Sequence, residues 1–163
     1  MDILAAQVGG ALKAHGLMLA TAESCTGGAV AMAITDVAGS SAWFERGFIT
    51  YANEAKQEML GVAQETMIRH GAVSEAVVRE MVAGALRHSH AQVALAVSGI
   101  AGPAGGTPGK PVGTVWFAWG IKGGQCVAQL HRLSGNRAAI RAQSVHIALQ
   151  GALTLLGQVS ETA

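Results

Sequence analysis

Thr21-Ala-Glu-Ser-Cys-Thr-Gly-Gly28 is the stretch of sequence that decides how this chain folds. An apolar run over residues 17–20 precedes it, and small residues with helical spacing follow it over residues 29–34. The stretch is therefore predicted to form a polar corner between a strand and a helix. Backbone N–H groups and the helix dipole favour an anion at such a corner. The alternative is a corner that only connects the two elements, with Thr26 capping the helix.

Strands and helices are predicted to alternate through the rest of the chain. Helical spacing predicts helices over residues 2–15, 26–37, 54–60, 64–70, 75–88 and 137–156. Apolar, β-branched and aromatic runs predict strands over residues 17–21, 44–51, 92–97, 112–119 and 125–133. A glycine pair at residues 123–124 joins the last two strands into a predicted hairpin. This order indicates a single α/β domain over residues 1–163, a three-layer α/β/α sandwich with a mixed, mostly parallel central sheet.

Composition excludes several classes of function. Only 13% of the 163 residues are charged and the net charge is +1, so no broad nucleic-acid footprint is expected. No apolar run reaches membrane-spanning length, and the N-terminus lacks the layout of a signal peptide. The two cysteines and six histidines show no metal-ligand spacing, which predicts a reduced, cytoplasmic protein without a metal or cofactor. Low charge with Ala-rich terminal helices favours a homodimer or higher homo-oligomer.

Three side chains are the candidates for catalysis. Ser24 carries an exposed hydroxyl at the corner and is the candidate nucleophile. Lys56 lies one helical turn after Tyr51 ends a strand, so both side chains can face one pocket. A lysine whose pKa is lowered by burial can take the serine proton, and the tyrosine can relay it. The alternative is a surface lysine beside a half-buried tyrosine. Cys25 is interpreted as a bystander.

Two corners supply the candidate substrate-binding residues. In sheets of this kind, ligands bind beyond the carboxyl ends of the strands, so both corners are expected to be neighbours if their strands run the same way. Arginines near the last helix either reach a phosphate or form a solvated first turn. The candidates from the first corner are Glu23, Thr26, Gly27 and Gly28, and those from the second are Ser98, Gly99 and Gly102.

Several motifs in fixed order carry a resemblance to a known family. The chain resembles the CinA C-terminal domain family over nearly its whole length, and its length implies that the N-terminal domain of full-length CinA is absent. The motifs are Thr21 to Gly28, Gly39-Ser-Ser-Ala-Trp-Phe-Glu-Arg-Gly47, Thr50-Tyr-Ala-Asn-Glu-Ala-Lys56, Gly71-Ala-Val-Ser-Glu75, Ser98-Gly-Ile-Ala-Gly-Pro103 and Lys110-Pro-Val-Gly-Thr114.

The resemblance implies an enzyme without a metal that acts on a small-molecule nucleotide. It would hydrolyse the carboxamide of nicotinamide mononucleotide to nicotinic acid mononucleotide and ammonia, in pyridine-nucleotide salvage. By motif match, Ser24 is the nucleophile, Lys56 the base and Tyr51 the relay. The N–H groups of residues 26–28 serve either the oxyanion or the nucleotide. The alternative is a non-catalytic CinA-like module that binds a nucleotide or protein in competence or DNA-damage responses.

Overall fold

The computed structural model describes residues 2–159 as one sheet with helices on both of its faces. Within these residues, no helix combines the length and apolarity needed to cross a bilayer. A short 3₁₀ turn, Ser40–Ala42, precedes the second strand. The strands are β1 (Leu19–Glu23), β2 (Phe44–Ile49), β3 (Val93–Gly99), β4 (Thr114–Ile121) and β5 (Cys126–Arg132). The helices are α1 (Asp2–Ala14), α2 (Ala29–Thr35), α3 (Asn53–Leu60), α4 (Gln64–His70), α5 (Glu75–Arg87) and α6 (Arg137–Gly157).

The sheet has the order β2-β1-β3-β4-β5. β1 pairs in parallel with β2 and β3, whereas β4 is antiparallel to both β3 and β5. Four strands therefore point one way and β4 points the other, which confirms the predicted mixed sheet and the predicted hairpin. Since β1 is central and its neighbours run parallel to it, the carboxyl ends of β1, β2 and β3 lie side by side.

Strand alternation divides the core into two layers. One face of β3 and β4 carries large apolar residues, such as Leu95 and Phe117, which pack against α1, α2 and α6. The other face carries Ala94, Ala96 and Ala118, which pack against α3, α4 and α5. Because side chains on a strand alternate between faces, one sheet can serve both helical layers. The predicted α/β/α sandwich is confirmed.

The boundaries at the first corner differ from those predicted. β1 covers residues 19–23 rather than 17–21, and α2 begins at Ala29 rather than Thr26. Gly27 and Gly28 have φ values of +59° and +99°, a left-handed backbone that cannot continue a right-handed helix. The predicted helix therefore loses its first three residues to a turn, and that turn carries the candidate nucleophile.

Candidate active site

Ser24 lies where three strands end. Its N–H donates to the carbonyl of Val97 on β3 at 3.1 Å. On the other side, the N–H of Thr50, just past β2, donates to the carbonyl of Glu23 at 2.8 Å. These bonds continue the sheet ladders past the ends of the strands, so the backbone fixes Ser24 between the two neighbours. The expectation that the corners at residues 23–28 and 98–103 are adjacent is confirmed.

A tight turn follows the serine. The N–H of Gly27 donates to the carbonyl of Ser24 at 3.0 Å, closing a four-residue turn. Gly28 has a φ of +99°, a backbone conformation that favours glycine, and a Cβ there would also lie 2.9 Å from the tip of the Ile49 side chain. The turn holds Ser24 rigidly at the amino-terminal end of α2, with its side chain almost wholly buried.

The Glu23 carboxylate caps α2. It accepts the N–H groups of Val30 and Ala31 at 2.9 and 3.0 Å, and the hydroxyl of Thr26 at 2.6 Å. Two of the otherwise unpaired N–H groups of the first turn are thereby satisfied, and the negative charge complements the helix dipole. The alternative in which Thr26 caps the helix does not hold, because its hydroxyl donates to Glu23 instead of accepting from the helix. Glu23 is therefore a structural residue of the corner.

We expect Glu23→Gln to lower the free energy of unfolding by about 2–4 kcal/mol. The amide nitrogen of glutamine would face a backbone N–H, leaving a buried donor without an acceptor, and the charge at the helix end would be lost. Urea denaturation followed by circular dichroism measures the change. Glu58→Gln, at an exposed position on α3, is the matched control. Equal stability of the two variants would contradict the capping role.

Lys56 is fully buried, with a relative exposure of 1%. It lies on α3. Gly84 on α5 lets these two helices pack closely, because any Cβ at that position would overlap the carbonyl oxygen of Leu60. Within residues 2–159, no ion pair joins Lys56 to a carboxylate. Burial without a counter-ion disfavours the ammonium form and lowers the pKa of Lys56 from 10.5 to about 8.

Three oxygen atoms surround the Lys56 amine. Nζ lies 2.9 Å from the hydroxyl oxygen of Ser24, 2.8 Å from the carbonyl oxygen of Thr50 and 3.2 Å from that of Tyr51. A neutral amine has two hydrogens and one lone pair. The two carbonyls can only accept, so they take the hydrogens, and the lone pair then faces the Ser24 hydroxyl. In its neutral form, Lys56 can therefore accept a proton from the Ser24 hydroxyl.

Tyr51 is placed differently from the predicted relay. Its carbonyl contacts Lys56, but its phenol is 61% exposed and accepts a hydrogen bond from Arg137 at 3.1 Å. Within residues 2–159, the phenol has no hydrogen bond to Ser24 or Lys56. A proton path through the phenol therefore has no support in the geometry, because Lys56 already contacts the nucleophile directly.

A cavity of about 210 Å³ opens above Ser24. Among the predicted site residues, Ser24, Tyr51, Lys56, Ser98 and Gly99 line it. The hydroxyl of Ser98 donates to the carbonyl of Ala72 at 2.9 Å, so it is already committed to the protein. The remaining residues of the lining are Cys25, Asn53, Ala72, Val73, Ala101 and Arg137, and none of the lining side chains is acidic.

The other predicted binding residues stay outside this lining. Thr26 is fully buried and bonded to Glu23, while Gly27 and Gly28 shape the turn. Gly102 contributes indirectly, since its carbonyl accepts a hydrogen bond from Arg137 at 2.8 Å. The structure therefore brings together the three candidate catalytic residues and the strand end at Ser98 and Gly99. It leaves Glu23, Thr26, Gly27, Gly28 and Gly102 as supports around them.

The backbone after Ser24 offers donors for a developing oxyanion. The N–H groups of Cys25 and Thr26 donate to no other residue in the described range 2–159. The Cys25 N–H shares its peptide group with the Ser24 carbonyl, which accepts from the Gly27 N–H at 3.0 Å. The Thr26 N–H shares its peptide group with the Cys25 carbonyl, which accepts from Arg141 on α6 at 3.0 Å, and Arg141 also donates to the Thr26 carbonyl at 3.2 Å. Fixed N–H groups next to a nucleophile are the arrangement that stabilises a tetrahedral oxyanion.

The Cys25 thiol is a poor nucleophile. Burial raises its pKa from 9.0 to about 11, so it carries its proton at neutral pH. The interpretation of Cys25 as a bystander agrees with this environment. Residues 2–159 also contain no group of three His, Cys, Asp or Glu side chains placed to hold a metal ion.

Asn53 was not predicted as a site residue, and the roles of Arg137 and Arg141, two of the arginines near the last helix, were left open. Both arginines lie in the first turns of α6, more than 80 residues beyond the strand ends that they reach. Their spacing of four placed them on one helix face, which was the available signal. The spacing does not indicate that α6 packs across the end of the sheet, and this packing brings both arginines to the site.

Comparisons with known proteins agree with this fold. The family model for the CinA C-terminal domain matches residues 1–156. The nicotinamide-nucleotide amidohydrolase PncC of Escherichia coli (strain K12) is 58% identical over 147 residues, covering 90% of this chain and 89% of that protein. Its counterpart from Pseudomonas putida is 51% identical over 152 residues, covering 93% of this chain and 94% of that protein.

A solved structure is similar along the whole length. The competence/damage inducible protein CihA from Agrobacterium tumefaciens superposes with a TM-score of 0.93 at 46% identity, covering 96% of this chain and 95% of that one. A family model that matches nearly the whole chain, relatives above 50% identity and a matching fold together establish the family. The chain belongs to the CinA C-terminal domain family.

Proposed function

We propose that this chain is an amidohydrolase that converts nicotinamide mononucleotide to nicotinic acid mononucleotide and ammonia. The observation that carries the proposal is the buried Lys56 amine, which lies 2.9 Å from the Ser24 hydroxyl and has no counter-ion within residues 2–159. Such a pair activates a serine for attack on an amide. The choice of amide follows the relatives, which are nicotinamide-nucleotide amidohydrolases at 51–58% identity.

The proposed first step forms an acyl-enzyme. Neutral Lys56 takes the proton of Ser24 while Oγ attacks the carboxamide carbon, giving a tetrahedral oxyanion. The N–H groups of Cys25 and Thr26 are the proposed donors to that oxyanion. The Lys56 ammonium then gives its proton to the amide nitrogen, the C–N bond breaks, and ammonia leaves.

The second step reverses these roles with water. Lys56, neutral again, takes a proton from a water molecule as that water attacks the acyl carbon. The ester bond to Ser24 breaks, the serine oxygen recovers a proton from Lys56, and the carboxylic acid loses its own proton to solvent and leaves as the carboxylate. One base therefore serves both steps, and the cycle needs neither a metal nor a redox partner.

We expect kcat/KM for nicotinamide mononucleotide to rise with pH and to level off above about pH 8. Only neutral Lys56 can accept the serine proton, and its pKa of about 8 leaves about a tenth of it neutral at pH 7. Each unit of pH below the pKa should reduce kcat/KM about tenfold. Initial rates between about pH 6.5 and 9 measure this. A flat profile, or one that falls as pH rises, would contradict Lys56 as the base.

The proposed substrate is tested by a comparison of amides. Purified protein is incubated in parallel with nicotinamide mononucleotide, nicotinamide, NAD and glutamine, and both ammonia and the carboxylate product are measured. The proposal expects turnover of the mononucleotide. Turnover of free nicotinamide alone would overturn the nucleotide assignment. Turnover of none, by a folded protein, would favour a binding module over an enzyme.

A further inference from the structure

Arg137 carries a positive charge at the mouth of the cavity that no carboxylate neutralises. Its guanidinium donates to the carbonyl of Gly102 at 2.8 Å and to the phenol oxygen of Tyr51 at 3.1 Å, both uncharged acceptors. No ion pair within residues 2–159 includes it. Two of its five N–H groups are therefore used to fix its position, and three remain available.

Tyr51 adds a second free donor beside this charge. Its oxygen accepts from Arg137, so its own proton is left for another acceptor. The side chain is 61% exposed although it is a large aromatic residue, and it stands beside the cavity instead of packing into the core. An oriented guanidinium next to a free hydroxyl is the donor set that binds phosphate oxygens.

The depth of the cavity determines the orientation of a bound substrate. Ser24 and Lys56 are buried at the floor, with relative exposures of 8% and 1%, whereas Arg137 and Tyr51 are exposed. A mononucleotide carries its carboxamide and its phosphate at opposite ends. If the carboxamide reaches the Ser24 hydroxyl, its phosphate must point toward the mouth, where both donors are found.

We infer that Arg137 and the Tyr51 hydroxyl bind the phosphate monoester of the substrate and so select the nucleotide over its unphosphorylated riboside. The inference rests on the proposed function for the identity of the reacting amide. It replaces the predicted relay role of Tyr51 with a role in binding, and it uses the arginine whose role the sequence left open. Because the lining contains no carboxylate and the mouth carries the Arg137 guanidinium, the cavity matches a ligand whose outward-facing end is anionic.

The test measures kcat/KM for nicotinamide mononucleotide and for nicotinamide riboside, which has the same amide and sugar without the phosphate. We expect Arg137→Met to reduce the nucleotide-to-riboside ratio of kcat/KM about 100-fold, mainly through KM. Tyr51→Phe should reduce it about tenfold. Arg46→Met is the matched control, since Arg46 is exposed at the amino-terminal end of β2 and should leave the ratio unchanged. An unchanged ratio in Arg137→Met, with both substrates impaired equally, would overturn the inference.

A binding measurement separates this inference from the proposed function. Ribose 5-phosphate carries the phosphate and sugar but no amide, so calorimetry with this probe does not require catalysis. Binding to the wild-type protein that Arg137→Met abolishes would support the inference even if no amide were hydrolysed. No binding to the wild-type protein would overturn it. If Arg137→Met does not fold, Arg137→Gln and Tyr51→Phe carry the same comparison, because each removes a proposed phosphate donor and retains most of the packing.

Discussion

Replacing Ser24 with alanine is expected to reduce kcat for nicotinamide mononucleotide by at least about 10³-fold while the protein stays folded. The hydroxyl is the proposed nucleophile, and alanine leaves Lys56 without an atom to activate. The loss should fall on kcat and not on KM, because the cavity mouth is untouched. Release of ammonia and nicotinic acid mononucleotide under saturating substrate measures the effect.

The fold should tolerate this change because Ser24 is held by its backbone. Its N–H and carbonyl remain bonded to Val97 and Gly27, and only the hydrogen bond to Lys56 is lost. Ser40→Ala is the matched control, since Ser40 has the same 8% exposure but precedes β2 at the opposite end of the sheet. The Ser40→Ala control should keep at least a tenth of wild-type kcat. If Ser24→Ala does so as well, the nucleophile is a different group.

The fold was predictable because its strongest signals are local. Helical spacing gives α1, α4, α5 and α6 nearly to the residue, and runs of apolar residues give the strands. The prediction failed where a polar residue is buried. The sequence pattern placed Glu23 in the polar corner after a strand that ends at residue 21, yet Glu23 is the last residue of β1, and its carboxylate is turned onto α2. Only the three-dimensional approach of α2 explains why a carboxylate is stable there.

The sequence predicted which residues lie at the site better than it predicted the contacts between them. The order of the motifs indicated Ser24 and Lys56, and the geometry places them in hydrogen-bond contact. Tyr51 was included because it shares a motif with Lys56, but only its carbonyl faces that lysine. Residue spacing indicates which backbone segments lie near the site. It does not indicate where a side chain at the end of a strand points. Long-range partners such as Arg141 depend on how α6 crosses the sheet.

The expected self-association stays a prediction. Ile3, Met32 and Ile68 are large apolar side chains with relative exposures of 65–77%, and they lie on α1, α2 and α4. These helices belong to both layers of the sandwich, so the exposed residues do not form one face. Exposed apolar side chains that are scattered singly are ordinary in monomers. The oligomeric state therefore has to be measured in solution.

Replacing Lys56 with methionine is expected to reduce kcat by at least about 10³-fold, because the proposed base is lost while a side chain of similar length fills the space. Lys122→Met, on the exposed turn between β4 and β5, is the matched control for removal of one positive charge. Combined with Ser24→Ala, the two losses should not add, because each alone disables the same pair. Additive losses would place Lys56 and Ser24 in separate roles.

The same variant tests the protonation of Lys56 without an activity assay. The pKa of Lys56 is about 8 in the folded protein and near 10.5 in the unfolded chain. Below pH 8, Lys56 is protonated in both the folded and the unfolded protein, so burial of its charge lowers the free energy of unfolding by its full amount. Between pH 8 and 10.5 the unfolded chain binds more protons than the folded one, so the wild-type protein gains stability relative to Lys56→Met as pH rises. Urea denaturation of both proteins at pH 7 and about pH 10 measures this gain. A stability difference that does not change with pH would mean that Lys56 keeps its proton in the folded protein, and it could then not serve as the base.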